Sequence, residues 1–296
     1  MNSLLLAMRV ARYTPRSVTR VGAWAGANVG WVRKGKSRTR LEENLHRVTG
    51  LTGRDLARLS RQGMLSAGRY YAEVLEMPRI TEHQADARCR LANPEPVTSH
   101  IHEANGAVVV LSHSGNWDLV GYVATRLIAP VTSVAETLKP RELFEQFVGL
   151  RASVGIRIYG HDDPTTYRDL LREASGSEER LIALVGDRDM TGRGVPVTMW
   201  GHGVRVAPGP AAIAKASGMP LIPVMVYYER LRGAQRRAAR SKWGTVFQFG
   251  PTVTVPKGSS AEAVEQMSRD WSAWIADAIA AHPQDWHMLQ RFGWIE

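Results

Sequence analysis

Cysteine is almost absent: the 296-residue chain has one, Cys89. No intramolecular disulfide framework and no cysteine-based zinc cluster can form, and a reducing compartment is expected. Long apolar runs are missing too. No stretch approaches the roughly 20 uninterrupted apolar residues of a spanning helix, and the run "LLLAM" is too short for a signal-peptide core. The sequence therefore predicts neither a transmembrane nor an obviously exported protein. Acidic residues are outnumbered, 28 Asp and Glu against 38 Lys and Arg, for a formal net charge of +10. This imbalance points to an anionic partner, whether nucleic acid, anionic lipid or a phosphorylated small substrate, without choosing among them. There is no internal repeat and no low-complexity linker.

What is present is enough chain for a sizeable core, either one large α/β domain or a core with a helical extension. Residues 2–13, "NSLLLAMRVARY", read as a basic amphipathic helix, with Arg9 and Arg12 on one side and Leu4, Ala7, Met8 and Ala11 on another. Thr14 followed by Pro15 reads as an N-cap with proline at the first helical position, opening a second helix on which Arg16 and Arg20 sit one turn apart. The basic stripe resumes in "RKGKSRTR". It suits a helix in the headgroup layer of an anionic membrane, and equally an ordinary solvated face. "RLEENLHRV" and "RDLARLSRQGMLSAGRYYAEVLEM" predict two more helices, the second stopping at Pro78.

From about residue 88, short β-rich runs alternate with helical stretches. "AVVVLSH", "VTSVAE", "IRIYG", "RLIALVGD", "LIPVMVYYE" and "TVFQFG" are the main strand candidates. Such alternation predicts an α/β fold with a mostly parallel central sheet flanked by helices. The organisation expected is a helical, amphipathic region over 1–87 and an α/β core over 88–296, read together as one continuous domain. Pro220 and Pro223 suggest that "MPLIPVMVYY" bends or lies at an edge. The Arg-rich connection "RLRGAQRRAARSKW" reads as a loop, phosphate-seeking or solvated.

The first long β run ends in "SHSGNWD", which delivers His113 to the C-terminal edge of the sheet, where open α/β folds build their sites. A histidine can accept a proton from a hydroxyl at neutral pH if a carboxylate holds its other nitrogen in the donor tautomer. Asp118 is near enough in sequence to do so, with Gly115 and Asn116 making the turn. Both residues also have plainer readings: a hydrogen-bonded histidine at a strand end, and a carboxylate favoured by a helix dipole. A second strand-like run, "LIALVGDRD", ends in Asp187 and Asp189 with Arg188 between them, so two neighbouring strands could bring a base and an acid to one cleft. No G-x-S-x-G elbow surrounds Ser114, which argues against a serine hydrolase.

"HSGNWD", "GDRDMTGRG" and "LIPVMV", in this order, resemble the lysophospholipid and glycerolipid acyltransferase superfamily, whose mark is a histidine with an aspartate five positions on. Within it the chain is similar to the lipid A biosynthesis lauroyltransferase family, and most of all to the actinobacterial phosphatidylinositol mannoside acyltransferases, from "RTRLEENLHRV" to "HPQDWHMLQRFGW". The resemblance implies a glycerolipid-acyltransferase-like fold with an N-terminal membrane-associating extension. It implies direct transfer of an acyl group from acyl-CoA, a co-substrate, to a mannose hydroxyl, with no metal and no other cofactor. His113 would be the base, Asp187 its carboxylate and Asp118 the scaffold of the turn. Glu136, Arg151, Arg188 and Asn116 become substrate-binding candidates, with Arg188 or the amides around Ser114 to Asn116 stabilising the oxyanion. Tyr122, Val123, Phe144 and Phe147 are candidate walls of an acyl groove. A peripheral monomer at the cytoplasmic membrane face is the expected setting. A lipid A precursor or other glycolipid is the alternative acceptor, and nucleic-acid binding without catalysis the remoter reading.

Overall fold

A computed structural model describes residues 13–295. The helix expected over residues 2–13 lies, apart from Tyr13, outside the described residues.

Four helices come first: α1 (Arg16–Val32), α2 (Lys36–Thr49), α3 (Gly53–Glu76) and α4 (Glu82–Arg88). Helix α1 starts one residue later than expected. Pro15, not Thr14, is the cap, and its carbonyl accepts the N–H groups of Val18 and Thr19. The basic stripe also turns inward rather than outward at this helix. Arg20 donates Nε and Nη2 to the two oxygens of Glu76, each at 2.6 Å, and Arg16 reaches Gln84 Oε1 at 3.0 Å and the carbonyl of Arg79. Glu76 is a buried carboxylate, and an unpaired charge there would be strongly destabilising. Val18, Val21, Trp24, Val29 and Val32 are exposed instead.

The chain then alternates through β1 (Cys89–Ala92), α5 (Glu95–Glu103), β2 (Gly106–Leu111), α6 (Trp117–Leu127), β3 (Val131–Ala135), α7 (Arg141–Ala152), β4 (Ile156–Gly160), α8 (Thr166–Ala174) and β5 (Arg180–Val185). A separate antiparallel pair, β6 (Val195–Met199) and β7 (His202–Val206), leads to α9 (Gly209–Ser217), β8 (Leu221–Arg230), α10 (Gly233–Ala239), β9 (Trp243–Phe249) and the long α11 (Ser260–Ala281). The Arg-rich connection thus contains a short helix, α10, whose C-terminal carbonyls at Ala239 and Arg240 are taken by Arg88 and Arg20.

The main sheet has seven strands in the order β1-β9-β8-β2-β5-β3-β4. Strands β8, β2, β5, β3 and β4 are parallel, β9 is antiparallel to β8, and β1 is parallel to β9. The expectation of a mostly parallel sheet flanked by helices holds. The edge position suggested for Pro223 does not, because β8 lies between β2 and β9. The β8–β9 ladder begins only at Val224 opposite Phe249, so the donor that Pro223 lacks is not required, and its carbonyl accepts Gly250 N–H at 2.8 Å.

Strand β2 is buried at every position, as a central parallel strand covered on both faces must be. Its even-numbered Val108 and Val110 join Ile182 and Leu184 under α9 and α11, while Val109 and Leu111 join the layer packed by α5 and α6. In the parallel pairing of β2 with β5, Leu111 stands opposite Val185. Two residues beyond each lie His113 and Asp187.

The turn after His113 needs a glycine. Gly115 has φ +56°, and a Cβ there would come within 2.6 Å of the Val226 carbonyl oxygen. Left-handed strain and overpacking should together cost Gly115→Ala about 2–5 kcal/mol in urea unfolding. Gly209→Ala, with open space around it, should stay within about 1 kcal/mol of wild type.

Candidate active site

His113 Nδ1 lies 2.6 Å from Asp187 Oδ1, and the His113 backbone N–H donates to Asp187 Oδ2 at 3.0 Å. Trp286 Nε1 adds a third donor to Asp187 Oδ2 at 2.9 Å. Burial alone would push the Asp187 pKa up, but His113 and these hydrogen bonds outweigh it and hold the carboxyl below its ordinary value. A carboxylate that accepts only donors fixes the tautomer of its histidine: Nδ1 carries the proton, and the lone pair sits on Nε2. Among the described residues Nε2 has no hydrogen-bond partner, and the His113 side chain is about one-third exposed, at 34%. The ring borders a cavity of about 450 Å³.

Asp118, five residues on, does not touch His113. It sits in the first turn of α6, where Tyr70 donates to Oδ2 at 2.8 Å and Arg151 Nε to Oδ1 at 2.6 Å. Burial, reinforced by Asp118, keeps the Tyr70 hydroxyl protonated well beyond its usual range. Burial opposes the charge of Arg151, but Asp118 prevails and raises its pKa. Arg151 is thus neither a free surface arginine nor an unpaired phosphate receptor: it ties α7 to α6 through a buried ion pair at the cavity wall. Asp189, next to the dyad in sequence, accepts the amides of Thr191 and Gly194 and holds the following loop in shape.

Asn116 is fully buried and committed. Its Oδ1 caps α6 at the Leu119 N–H and its Nδ2 donates to buried Glu73 at 2.8 Å, so it does not face the cavity. Two of the amides considered as oxyanion donors are also spent: Ser114 N–H on the Ser112 carbonyl and Gly115 N–H on that of Asp285. Arg188 and Glu136 do line the cavity, at its mouth, 3.9 Å apart. Arg188 also donates to Gln290. Of the four candidate walls, only Phe147 lines the cavity. Tyr122 and Val123 lie against α4, because the face of α6 turned to the cavity is Trp117, Val120, Gly121 and Ala124.

Three contributors were not legible in the motif blocks. Tyr70 comes from α3 and packs against Trp117, with ring centroids 4.3 Å apart and planes tilted by 32°. Trp286 and His287 come from the Trp-rich tail, whose aromatic content was the only signal. His287 Nε2 lies 2.9 Å from Ser66 Oγ, and Ser66 gives its single proton to Asp285 at 2.6 Å, so His287 must be the donor to Ser66. Burial, with Arg69 and His113 nearby, lowers the His287 pKa to about 3.

Since the folded pKa of His287 lies below the unfolded value of about 6.5, the unfolded chain binds more protons as pH falls through that value. Stability should drop below about pH 6.5 by up to about 1.4 kcal/mol per unit from this group. Urea unfolding between about pH 7 and pH 5 should show a shallower slope in His287→Gln than in wild type, with the remainder due in part to His282, whose pKa burial also lowers. Equal slopes would contradict the buried neutral assignment.

Residues 4–292 match the family model for bacterial lipid A biosynthesis acyltransferases. The chain is 29% identical over 286 residues to the phosphatidylinositol mannoside acyltransferase of Mycolicibacterium smegmatis, covering 95% of this chain and 87% of that one. It is 33% identical over 256 residues to the protein of the same description from Mycobacterium tuberculosis, covering 84% and 75%. With a histidine–aspartate pair whose imidazole lines an apolar cavity, and a family match over nearly its whole length, the chain belongs to the bacterial lipid A biosynthesis acyltransferase family.

Proposed function

We propose that this acyltransferase moves a long-chain fatty acyl group from acyl-CoA to a mannose hydroxyl of a phosphatidylinositol mannoside, at the cytoplasmic surface of the membrane. The observation that carries the reading is the Nε2 of a carboxylate-oriented histidine, unpartnered among the described residues, beside an apolar cavity that the ring lines. Relatives described as phosphatidylinositol mannoside acyltransferases supply the acceptor class.

The acceptor hydroxyl gives its proton to His113 Nε2 as its oxygen attacks the thioester carbonyl. Asp187, ionised and held by three donors, stabilises the imidazolium that forms. Collapse of the tetrahedral intermediate breaks the carbon–sulfur bond, and the thiolate leaves with the proton that His113 returns. The products are an ester and a free thiol, and no acyl-enzyme is formed. Arg188, at the cavity mouth, is the side chain assigned to the oxyanion, a role of about 3–4 kcal/mol in comparable sites. Burying the acyl chain in the cavity contributes roughly 0.8 kcal/mol per methylene.

The membrane contact is assigned to the outward face of α1, where Val18, Val21, Trp24, Val29 and Val32 are exposed. A helix held at its inner face by Arg16 and Arg20 can lay this stripe into the headgroup layer, with Arg33, Lys34 and Lys36 following at its end. No described helix is long and apolar enough to cross a membrane.

His113→Ala should abolish transfer from palmitoyl-CoA, with the urea midpoint kept near wild type. Asp187→Asn, which leaves the histidine unoriented, should lose on the order of 10²- to 10⁴-fold in kcat. Mass spectrometry with a panel of phosphatidylinositol mannoside, lipid A precursor and other glycolipid acceptors decides the acceptor, and a folded His113→Ala that retained activity would refute the mechanism. The pair Val21→Glu and Trp24→Glu should weaken cosedimentation with anionic vesicles while leaving turnover of a soluble short-chain thioester unchanged.

A further inference from the structure

The formal charge of +10 points to an anionic partner, and the arginine first considered for a phosphate, Arg151, is consumed by Asp118. A separate concentration of cations stands at the same edge of the sheet as the dyad. Strand β8 runs parallel to β2 with Val224 opposite Leu111, so Arg230, at its end, lies four residues past the level of His113, about 13 Å along the strand. From Arg230 to Trp243 the chain has no acidic residue, and Arg232, Arg236, Arg237, Arg240 and Lys242 are all exposed.

Two cations there are held against one aromatic ring. Arg230 stands directly opposite Trp243 in the β8–β9 ladder, with its guanidinium carbon 4.2 Å from the indole centroid. Arg69, from α3, packs on the same indole at 3.7 Å and on the Tyr228 ring at 4.4 Å. The two guanidinium carbons are therefore at most about 8 Å apart, the two centroid distances laid end to end. Stacking engages the face of a guanidinium and leaves its in-plane N–H donors free. Among the described residues neither side chain makes a hydrogen bond or an ion pair. Glu229, the acid beside Arg230 in sequence, is taken by Arg90 through both carboxylate oxygens. Glu73 and Asp285 act on Arg69 at a distance, but each is buried and occupied by its own donors. Two like charges on one ring repel each other unless an anion lies between them, and guanidinium forks match phosphate oxygens bidentately.

We propose that Arg69 and Arg230, packed on Trp243, form a receptor for a substrate phosphate about 13 Å from the group reacting at His113, with the exposed cations around α10 adding to the local positive field. Arg69 immediately precedes Tyr70 and Tyr71, which line the cavity, so receptor and cavity share α3 as a wall. Which substrate carries the phosphate rests on the acyl-transfer reading, in which acyl-CoA brings it on the donor side and a phosphatidylinositol mannoside on the acceptor side; the receptor itself does not rest on it.

The test is isothermal titration of the full-length protein with coenzyme A, with glycerophosphoinositol, and with pantetheine, which lacks the phosphates of coenzyme A. Arg69→Gln and Arg230→Gln should each weaken binding of a phosphate-bearing probe roughly tenfold and leave pantetheine unchanged. Arg54→Gln removes the same charge from an exposed position about 22 Å away on α3 and should have less than about a twofold effect. A loss for coenzyme A assigns the receptor to the donor's phosphates, a loss for glycerophosphoinositol to the headgroup, and either supports it. Urea unfolding identifies a variant that has lost its fold, and the other arginine then decides. Wild-type affinities in folded variants, an equal loss in Arg54→Gln, an equal loss for pantetheine, or no binding of either phosphate probe by wild type overturns the receptor, even in an active acyltransferase. Selective losses in a protein that acylates none of the lipid acceptors support the receptor and overturn the acyl-transfer reading instead.

Discussion

The site depends on one pairing: β2 and β5 run parallel and side by side, with Leu111 opposite Val185. Because both strands end at the same height, an equal offset of two residues carries His113 and Asp187 to the same height and the same face. A slip of one residue would turn one of them to the other side of the sheet, where α9 and α11 pack. The hydrophobic pattern forbids the slip. Both faces of β2 are buried, and each odd or even set is matched to a different group of helices. Packing in the core therefore fixes the geometry of a half-buried hydrogen bond at the cavity's edge.

Around that pairing, distant segments supply what two strands cannot. The α3 helix brings Tyr70 to Asp118, Glu73 to Asn116 and Ser66 to the tail. These contacts make α3 part of the cavity wall. Buried carboxylates recur through this shell, and each is paired or surrounded by donors, as the cost of an unpaired buried charge requires. Arg16 and Arg20 illustrate the effect on the surface: pulled inward toward Gln84 and Glu76, they leave the valines and Trp24 of α1 outside.

Much of the fold was legible from alternation of β-branched runs and helical stretches, because central parallel strands have to be apolar throughout. The histidine, both aspartates and the cavity-lining Arg188 could be named from two short blocks, and Glu136 from a third stretch, "VTSVAE", through the family resemblance. Contacts set by three-dimensional meeting could not. Asn116 looked available because a polar residue in a turn usually is, and only the structure shows it capping α6 and holding Glu73. Trp286 and His287 lie more than 90 residues from their partners Asp187 and Ser66, as separations of 99 and 221 show, so no local pattern could announce them. The phase of α6 was misjudged as well: Tyr122 and Val123 are apolar, but one step off the face that the strand below selects.

The hydrogen bonds between the histidine turn and the tail have a bearing on how the molecule comes into being. Gly115 N–H meets the Asp285 carbonyl, and His287 N–H meets that of His113 at 2.7 Å. During synthesis, the strands bearing His113 and Asp187 emerge well before residues 285–287. Until the tail arrives, the dyad lacks the indole that holds its carboxylate, and the turn lacks the carbonyl that fixes its amide. Residues 287–290 also line the cavity, so the segment that seats the indole on Asp187 closes the cavity wall in the same event, and neither reaches its final form without the other.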